Sequence, residues 1–216
     1  MPEHPLRKCI EHGDIVGLIR ALESNPDSPN IPIHWHLNQN NVSDPLHYVS
    51  DCVSNGWLNT GLEGEIADRL LKYGAALEGR EGRETPLLGS TSLGVPKVSE
   101  ILIQSGANLK ATSMFNATAL HWAAWMGNAD TVDLLITKGA QIEAKDSEFG
   151  VTPLYWAVHG FGPSGPRIKK DQVKAAKTLL LAGASLNVSN HSGISLIELA
   201  LSFSQQDMHE LLSEKR

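Results

Sequence analysis

An all-α repeat solenoid, a stack of helix–turn–helix units, is the fold class this sequence predicts, and three observations predict it. A Gly-Ala pair recurs at Gly74-Ala75, Gly106-Ala107, Gly139-Ala140 and Gly183-Ala184, at intervals of 32, 33 and 44 residues, each after Leu- or Ile-rich helical turns. A second landmark opens each first helix: Asp44-Pro45-Leu46, Thr85-Pro86-Leu87, Thr118-Ala119-Leu120 and Thr152-Pro153-Leu154, with a degenerate fifth copy at Ser195-Leu196-Ile197. Between these landmarks, as in Asn116 to Asp146, lie two amphipathic patterns, each below the roughly 12 residues at which isolated helices become even marginal in water. Such a unit is one layer of a larger stack, and fixed-period self-similarity is the signature of repeat architectures.

The elements follow in order. The first unit, 5–24, offers Leu6, Cys9 and Ile10 on one helix, then Ile15, Val16, Leu18, Ile19 and Leu22 on the next, with Gly13-Asp14 between them. It lacks the Thr-Pro opening, as suits a cap with a neighbour on one side. Residues 25–41, rich in Asn and Pro, read as a long extended finger. Repeats are expected at 44–77, 85–109, 118–144 and 152–188. In each, a Thr or Asp starts a helix, followed by Pro in all but the 118–144 copy, because the side chain caps free N–H groups and Pro is preformed for the first turn. Gly stops the second helix by taking the left-handed conformation. The first repeat carries an insertion at 54–64 and the last one at 160–171, whose Gly, Pro and Ser content makes it a surface loop. The 85–109 copy is the weakest, with Leu88-Gly89-Ser90-Thr91 at its core positions. A closing cap at 195–213 turns Ile197, Ala200 and Leu201 inward and Gln205, Gln206, Asp207, His209 and Glu210 outward.

The best-preserved copy, Thr118-Ala-Leu-His-Trp-Ala-Ala-Trp-Met-Gly127, follows the motif Thr-Pro-Leu-His-x-Ala-Ala-x-x-Gly with only the Pro lost. The second-helix pattern matches at Val132, Leu135, Ile136, Gly139 and Ala140 after a one-residue offset. Over nearly its whole length the chain resembles the ankyrin-repeat family. The resemblance implies one ankyrin domain over 1–216, with β-hairpin fingers, that binds a partner protein through fingertips and the concave face of the first helices and catalyses nothing. Carried over position by position, Met114, Phe115, Glu148 and Phe149 fall on fingertips, and Trp125, Met126 and His159 fall on the concave face. Trp122 and Trp156 take the preceding, core-facing position. His47 and His121 take the place of the family's structural histidine, which bonds its motif's Thr and neighbouring backbone. At His47 that Thr is Asp44, expected to hold the imidazole more tightly.

Other function classes are bounded by composition. A net charge of −6 and a pI near 5.8 oppose a nucleic-acid partner, since such proteins carry a basic face. The one basic cluster, Arg167, Lys169, Lys170, Lys174 and Lys177, reads as a solvated helix face, with a patch for an acidic partner protein as the sharper alternative. No apolar run approaches the ~18 residues of a membrane span, and Met1-Pro2-Glu3-His4 does not open a secretory signal. Cys9 and Cys52 form no disulfide framework, which suits a reduced, cytoplasmic protein. A monomer without cofactor or metal is expected. Two alternatives remain: an inhibitor or immunity-type antagonist of an enzyme or toxin, and a metal-dependent enzyme using His34, His36 and His47. His34 and His36 share one face of an extended strand, but two ligands are too few for a closed site.

Overall fold

The computed structural model describes residues 4–35, 41–59, 61–113, 115–162, 165, 171–203 and 206–214. The chain divides into two compact units, 1–108 and 109–216. Helix pairs succeed one another throughout, with short extended fingers between them, the helical repeat stack the sequence predicts.

In the first unit, α1 (Arg7–His12) and α2 (Ile15–Ser24) precede a short 3-10 turn at Ser28–Asn30 and a two-stranded hairpin, β1 (Ile33–His34) and β2 (Val42–Ser43). The strands are antiparallel, with Ile33 opposite Ser43 and His34 opposite Val42. Next come α3 (Pro45–Ser54), α4 (Glu63–Lys72), α5 (Pro86–Ser92) and α6 (Pro96–Gln104). First helices pack on first helices, α1 on α3 and α3 on α5, while α4 packs on α6. The second unit repeats the scheme with α7 (Ala119–Trp125), α8 (Ala129–Thr137), α9 (Pro153–Phe161), α10 (Gln172–Leu181), α11 (Leu196–Ser202) and α12 (Gln206–Glu214). Here α7, α9 and α11 line up, and α8, α10 and α12 pack behind them. Isolated bridges at Thr112–Thr118 and Ser189–Ser195 close two more fingers.

The start signals act as their chemistry requires. Pro45, Pro86 and Pro153 occupy the first helical turn, where a missing N–H costs nothing. Thr85 accepts the Leu88 N–H, and Ser195 with Glu198 forms a reciprocal capping box. The stops are equally regular. At each Gly-Ala pair the Ala N–H returns to a Leu carbonyl five residues back, Leu70, Leu102, Leu135 and Leu179 in turn. The glycines have φ of 88–94°, the left-handed C-terminal motif. A Cβ at Gly139 would meet nothing within 4 Å, so conformation and not space demands glycine there. Gly139→Ala is expected to cost about 1–2 kcal/mol, the left-handed penalty of a residue with a Cβ, with urea unfolding as the check.

Burial corrects some facing assignments. The Leu-Leu pairs 70–71, 134–135 and 179–180 of the second helices, which the apolar pattern turns inward together, are split: Leu70, Leu135 and Leu179 are fully buried, whereas Leu71, Leu134 and Leu180 are half-buried. In the first unit Val16 is 59% exposed, so that helix turns Leu18 and Leu22 inward. In the last cap Leu196, Leu199 and Ala200 are buried and Leu201 is 56% exposed. The inward face is therefore Leu196, Leu199 and Ala200, which share one side of the helix at i, i+3 and i+4, while Ile197 is half-buried.

The weakest copy has a physical reason. A Cβ at Gly89 would sit 2.4 Å from the His47 ring, so glycine makes room for that imidazole on the neighbouring helix. The two polar replacements beside it are satisfied: Ser90 and Ser99 share a buried hydrogen bond at 2.9 Å, and the Thr91 hydroxyl donates to the Leu87 carbonyl at 2.9 Å.

Candidate functional site

The histidine positions show how the fingers are tied to the helices. At His121 the backbone N–H of Thr118 donates to Nδ1 at 3.1 Å, and the Thr118 hydroxyl lies 2.9 Å from the same atom. Nε2 then carries the proton and donates to the Val151 carbonyl at 3.2 Å, on the following finger. Burial pushes this imidazole down to about 4, against the raising effect of the Val151 carbonyl and Asp146. One repeat later Tyr155 stands in the histidine position, and its hydroxyl donates to the Ile194 carbonyl at 3.3 Å. The same backbone tie is made by a different side chain.

His47 departs from this pattern and from the expectation for it. Asp44 does not hold the imidazole: its carboxylate accepts from the Arg80 Nε–H and, at 3.0 Å, from the Arg80 backbone N–H. The guanidinium is the stronger competitor, since it offers a carboxylate a fixed charge and a rigid fork of N–H donors. His47 Nε2 instead faces Asp51 Oδ1 at 3.8 Å. Asp51 also accepts from Ser43, which in turn accepts from the Trp35 indole N–H at 2.9 Å. Burial raises the Asp51 carboxyl, with His47 and Ser43 pulling the other way. His36 and the cluster Arg167–Lys170 lie outside the described residues. Among the described residues no three His, Cys, Asp or Glu side chains gather to hold a metal ion. None of their helices is long and apolar enough to cross a membrane.

In the second unit an apolar cavity of about 370 Å³ opens between the first helices and the fingers. Its floor and one wall are Trp122 and Trp125 of α7 with Tyr155, Trp156 and His159 of α9. Its rim is Phe115, Glu148 and Phe149 of successive fingers, with Asn190 and Ile194 beyond. Trp156 meets Trp122 edge-on, with ring centroids 4.9 Å apart and planes at 85°, and meets Trp125 at 5.9 Å and 67°. The His159 ring lies between Trp125 at 5.1 Å and Phe149 at 6.0 Å. Burial lowers its pKa, which keeps the imidazole neutral at pH 7. Glycine permits the close approach: a Cβ at Gly160 would strike the Trp125 carbonyl at 2.4 Å.

Asp146 fixes the rim. Its carboxylate accepts backbone N–H groups from Glu148, Phe149 and Val151 at 2.9, 2.7 and 3.1 Å, and the Trp156 indole N–H at 3.1 Å. Burial works to raise this carboxyl, but those bonds outweigh it and hold the group below the usual carboxylate range. The fingers are also stitched backbone to backbone, Ser147 N–H to the Phe115 carbonyl and His191 N–H to the Phe149 carbonyl. Phe149 remains 38% exposed at the mouth.

Of the residues expected at the binding surface, the structure brings Phe115, Trp125, Glu148, Phe149 and His159 to this one cavity. Met126, half-buried at the C-cap of α7, is not among its lining residues. Met114 lies outside the described residues. Sequence reasoning missed Trp122, Tyr155, Trp156 and Ile194. Trp156 is buried as expected, yet one part of it lines the cavity, and Trp122 is only half-buried. The available signal was the indole at the same motif position in two consecutive repeats, since a pair of large rings there cannot both disappear between small Ala-bearing helices.

The helix pairs, the histidine ties and the fingered rim define a helical repeat stack. A family model described as ankyrin repeats (3 copies) matches residues 46–146 and 100–190. The chain belongs to the ankyrin repeat family. It is also similar to curated proteins. It is 27% identical over 114 residues to palmitoyltransferase ZDHHC13 of Homo sapiens, covering 53% of this chain and 17% of that protein. It is 30% identical over 126 residues to ankyrin repeat and SOCS box protein 6 of Mus musculus, covering 58% of this chain and 28% of that protein. To palmitoyltransferase ZDHHC17 of Danio rerio it is 31% identical over 71 residues, covering 33% of this chain and 12% of that protein. The matched stretch thus spans less than a third of each of these relatives.

Proposed function

We propose that this chain is a non-enzymatic protein-docking module, acting as a cytoplasmic monomer, that seats a segment of a partner protein in the aromatic cavity of its second unit. The observation that carries the reading is the cavity itself: three tryptophans and two phenylalanines converge on one opening, with Phe149 exposed at its mouth. Exposed apolar patches on folded proteins mark interaction sites, and tryptophan and tyrosine are the residues on which binding energy concentrates. The relatives are named for different roles, and what they share with this chain is the repeat region. A common recognition element fits that distribution better than a common reaction. Ankyrin folds host many partners, so the docking surface and not the fold must name the ligand.

The test begins with a partner recovered by affinity capture, identified by mass spectrometry and then purified. Its affinity is measured by calorimetry for the native chain and for Trp125→Ala combined with Phe149→Ala. Removing one hot spot costs at least about 2 kcal/mol, so the double variant is expected to bind at least roughly 30-fold more weakly. An unchanged affinity in a variant that retains its unfolding transition would remove the cavity from the interface.

A further inference from the structure

We infer that the aromatic cavity of the second unit is a cation site that takes a methylated ammonium group, as carried by a methylated lysine side chain of the partner. The inference rests on the docking reading above and specifies its ligand chemistry. Its ground is charge complementarity. Among the cavity's described lining residues Glu148 is the one acidic side chain, and no lysine or arginine is present to meet an anion. Of the other titratable groups in the lining, burial lowers the His159 pKa and so favours its neutral ring, and burial raises the Tyr155 hydroxyl. A second carboxylate, Asp146, stands behind the wall and accepts the Trp156 indole N–H at 3.1 Å.

Aromatic faces carry negative quadrupole charge and attract cations, tryptophan most strongly. An indole whose N–H donates to an ionised carboxylate is polarised further, and the hydrogen bonds to Asp146 keep that carboxylate ionised. Ring orientation adds a shape constraint. Trp122 and Trp125 stand at 85° and 67° to Trp156, and His159 is tilted by 35° from Trp125 and 40° from Phe149, so no ring lies parallel to the neighbour it touches and the lining is not a parallel slot. A flat ring fits a slot, whereas a rounded group with methyls on every side touches several angled faces together. Methylation decides the class of cation. A plain lysine ammonium is a compact, strongly hydrated charge, and stripping its water in an apolar cavity opposes entry. Methyl groups spread the charge and replace that hydration with apolar contact. The chain's net charge of −6 draws a cationic segment toward it in the first place.

The experiment titrates the full chain, followed by tryptophan fluorescence and calorimetry, with four short peptides that differ at one central residue. That residue is trimethyl-lysine, unmodified lysine, the neutral tert-butyl isostere of trimethyl-lysine, or proline. The expected result is that the trimethyl-lysine peptide binds at least about tenfold more tightly than each of the other three. E148Q, an exposed substitution that leaves the fold intact, should reduce its advantage over the isostere severalfold, and Trp125→Phe should give an intermediate loss. If the isostere or the proline peptide binds as well as the cation, the cation assignment falls while the cavity stands as an apolar docking site. If none of the four peptides gives a saturable signal, the cation assignment also falls, and the docking reading is judged separately by the purified partner against the Trp125 and Phe149 double variant.

Discussion

Asp146→Ala is expected to lower the unfolding free energy by about 4 kcal/mol or more, because hydrogen bonds to a charged group contribute roughly 1.5–3 kcal/mol each. One carboxylate serves four donors, and two of these have no access to water once it is gone. Val151 is fully buried and Trp156 nearly so, so the Val151 N–H and the Trp156 indole N–H would be left unpaired inside the protein. The Glu148 and Phe149 N–H groups lie on an exposed finger, where solvent takes over part of the loss. Asp146→Asn should lie between the two. One amide oxygen still accepts, but the amide NH₂ confronts two donors in place of the second carboxylate oxygen. Urea unfolding at pH 7 measures both variants, and a loss below about 1 kcal/mol for the alanine variant would show that the finger does not depend on this carboxylate. Loss of partner binding should accompany the loss of stability, since the same bonds position Phe149 and Trp156 at the cavity.

His121→Ala should cost about 3–5 kcal/mol at pH 7.5, from a buried void together with the unpaired Thr118 N–H and Val151 carbonyl. The more specific signature is in the pH dependence. The folded-state pKa of His121 is about 4, against the ordinary histidine value of 6.5, so folding favours the neutral ring. Stability from this group is fully present above the unfolded pKa of 6.5. It is lost as pH falls from there through 4, because the unfolded chain takes up a proton that the folded ring refuses. A depression of this size corresponds to roughly 3 kcal/mol. Asp146, whose pKa is also lowered, has the sign of a depressed carboxylate. Its contribution persists through that window and is lost only at more acid pH, below the ordinary aspartate range. Unfolding measured at pH 7.5 and pH 4 should therefore show a steep decline in the native chain and a flatter one in His121→Gln. His4 and His159, whose pKa values burial also lowers, leave a residual slope. An equal slope in native and variant chains would assign the acid sensitivity elsewhere.

The scaffold was legible in the sequence because its signals are local. Thr118, Thr85 and Pro153 start helices, and Gly139 stops one, through contacts made within a turn of the chain. The facing of terminal helices was less legible, as Val16 and Leu201 show. Both fit an apolar stripe, but a cap has a neighbour on one side only, so one edge of its stripe meets solvent. The replacement of Asp44 as the partner of His47 depends on Arg80, which is 36 residues away in sequence. No local pattern contains such a competition. The cavity lay between these extremes. Trp125, Phe149 and His159 could be placed from motif positions, while Trp122 and Tyr155 could not. Whether a large side chain at a core position reaches the surface depends on how the next ring packs against it, and Trp156 settles that for Trp122 at a centroid distance of 4.9 Å.

The central claim is that recognition takes place at the aromatic cavity of the second unit, and a hydrogen-exchange footprint of the native chain with its purified partner tests it most directly. Protection on binding is predicted at the fingers around Phe115 and 146–151 and at the ends of α7 and α9 near Trp125 and His159, with the helices α8 and α10 unchanged. Protection confined to α8 and α10, or to the first unit, with exchange at Phe149 and Trp125 unaffected, would contradict it.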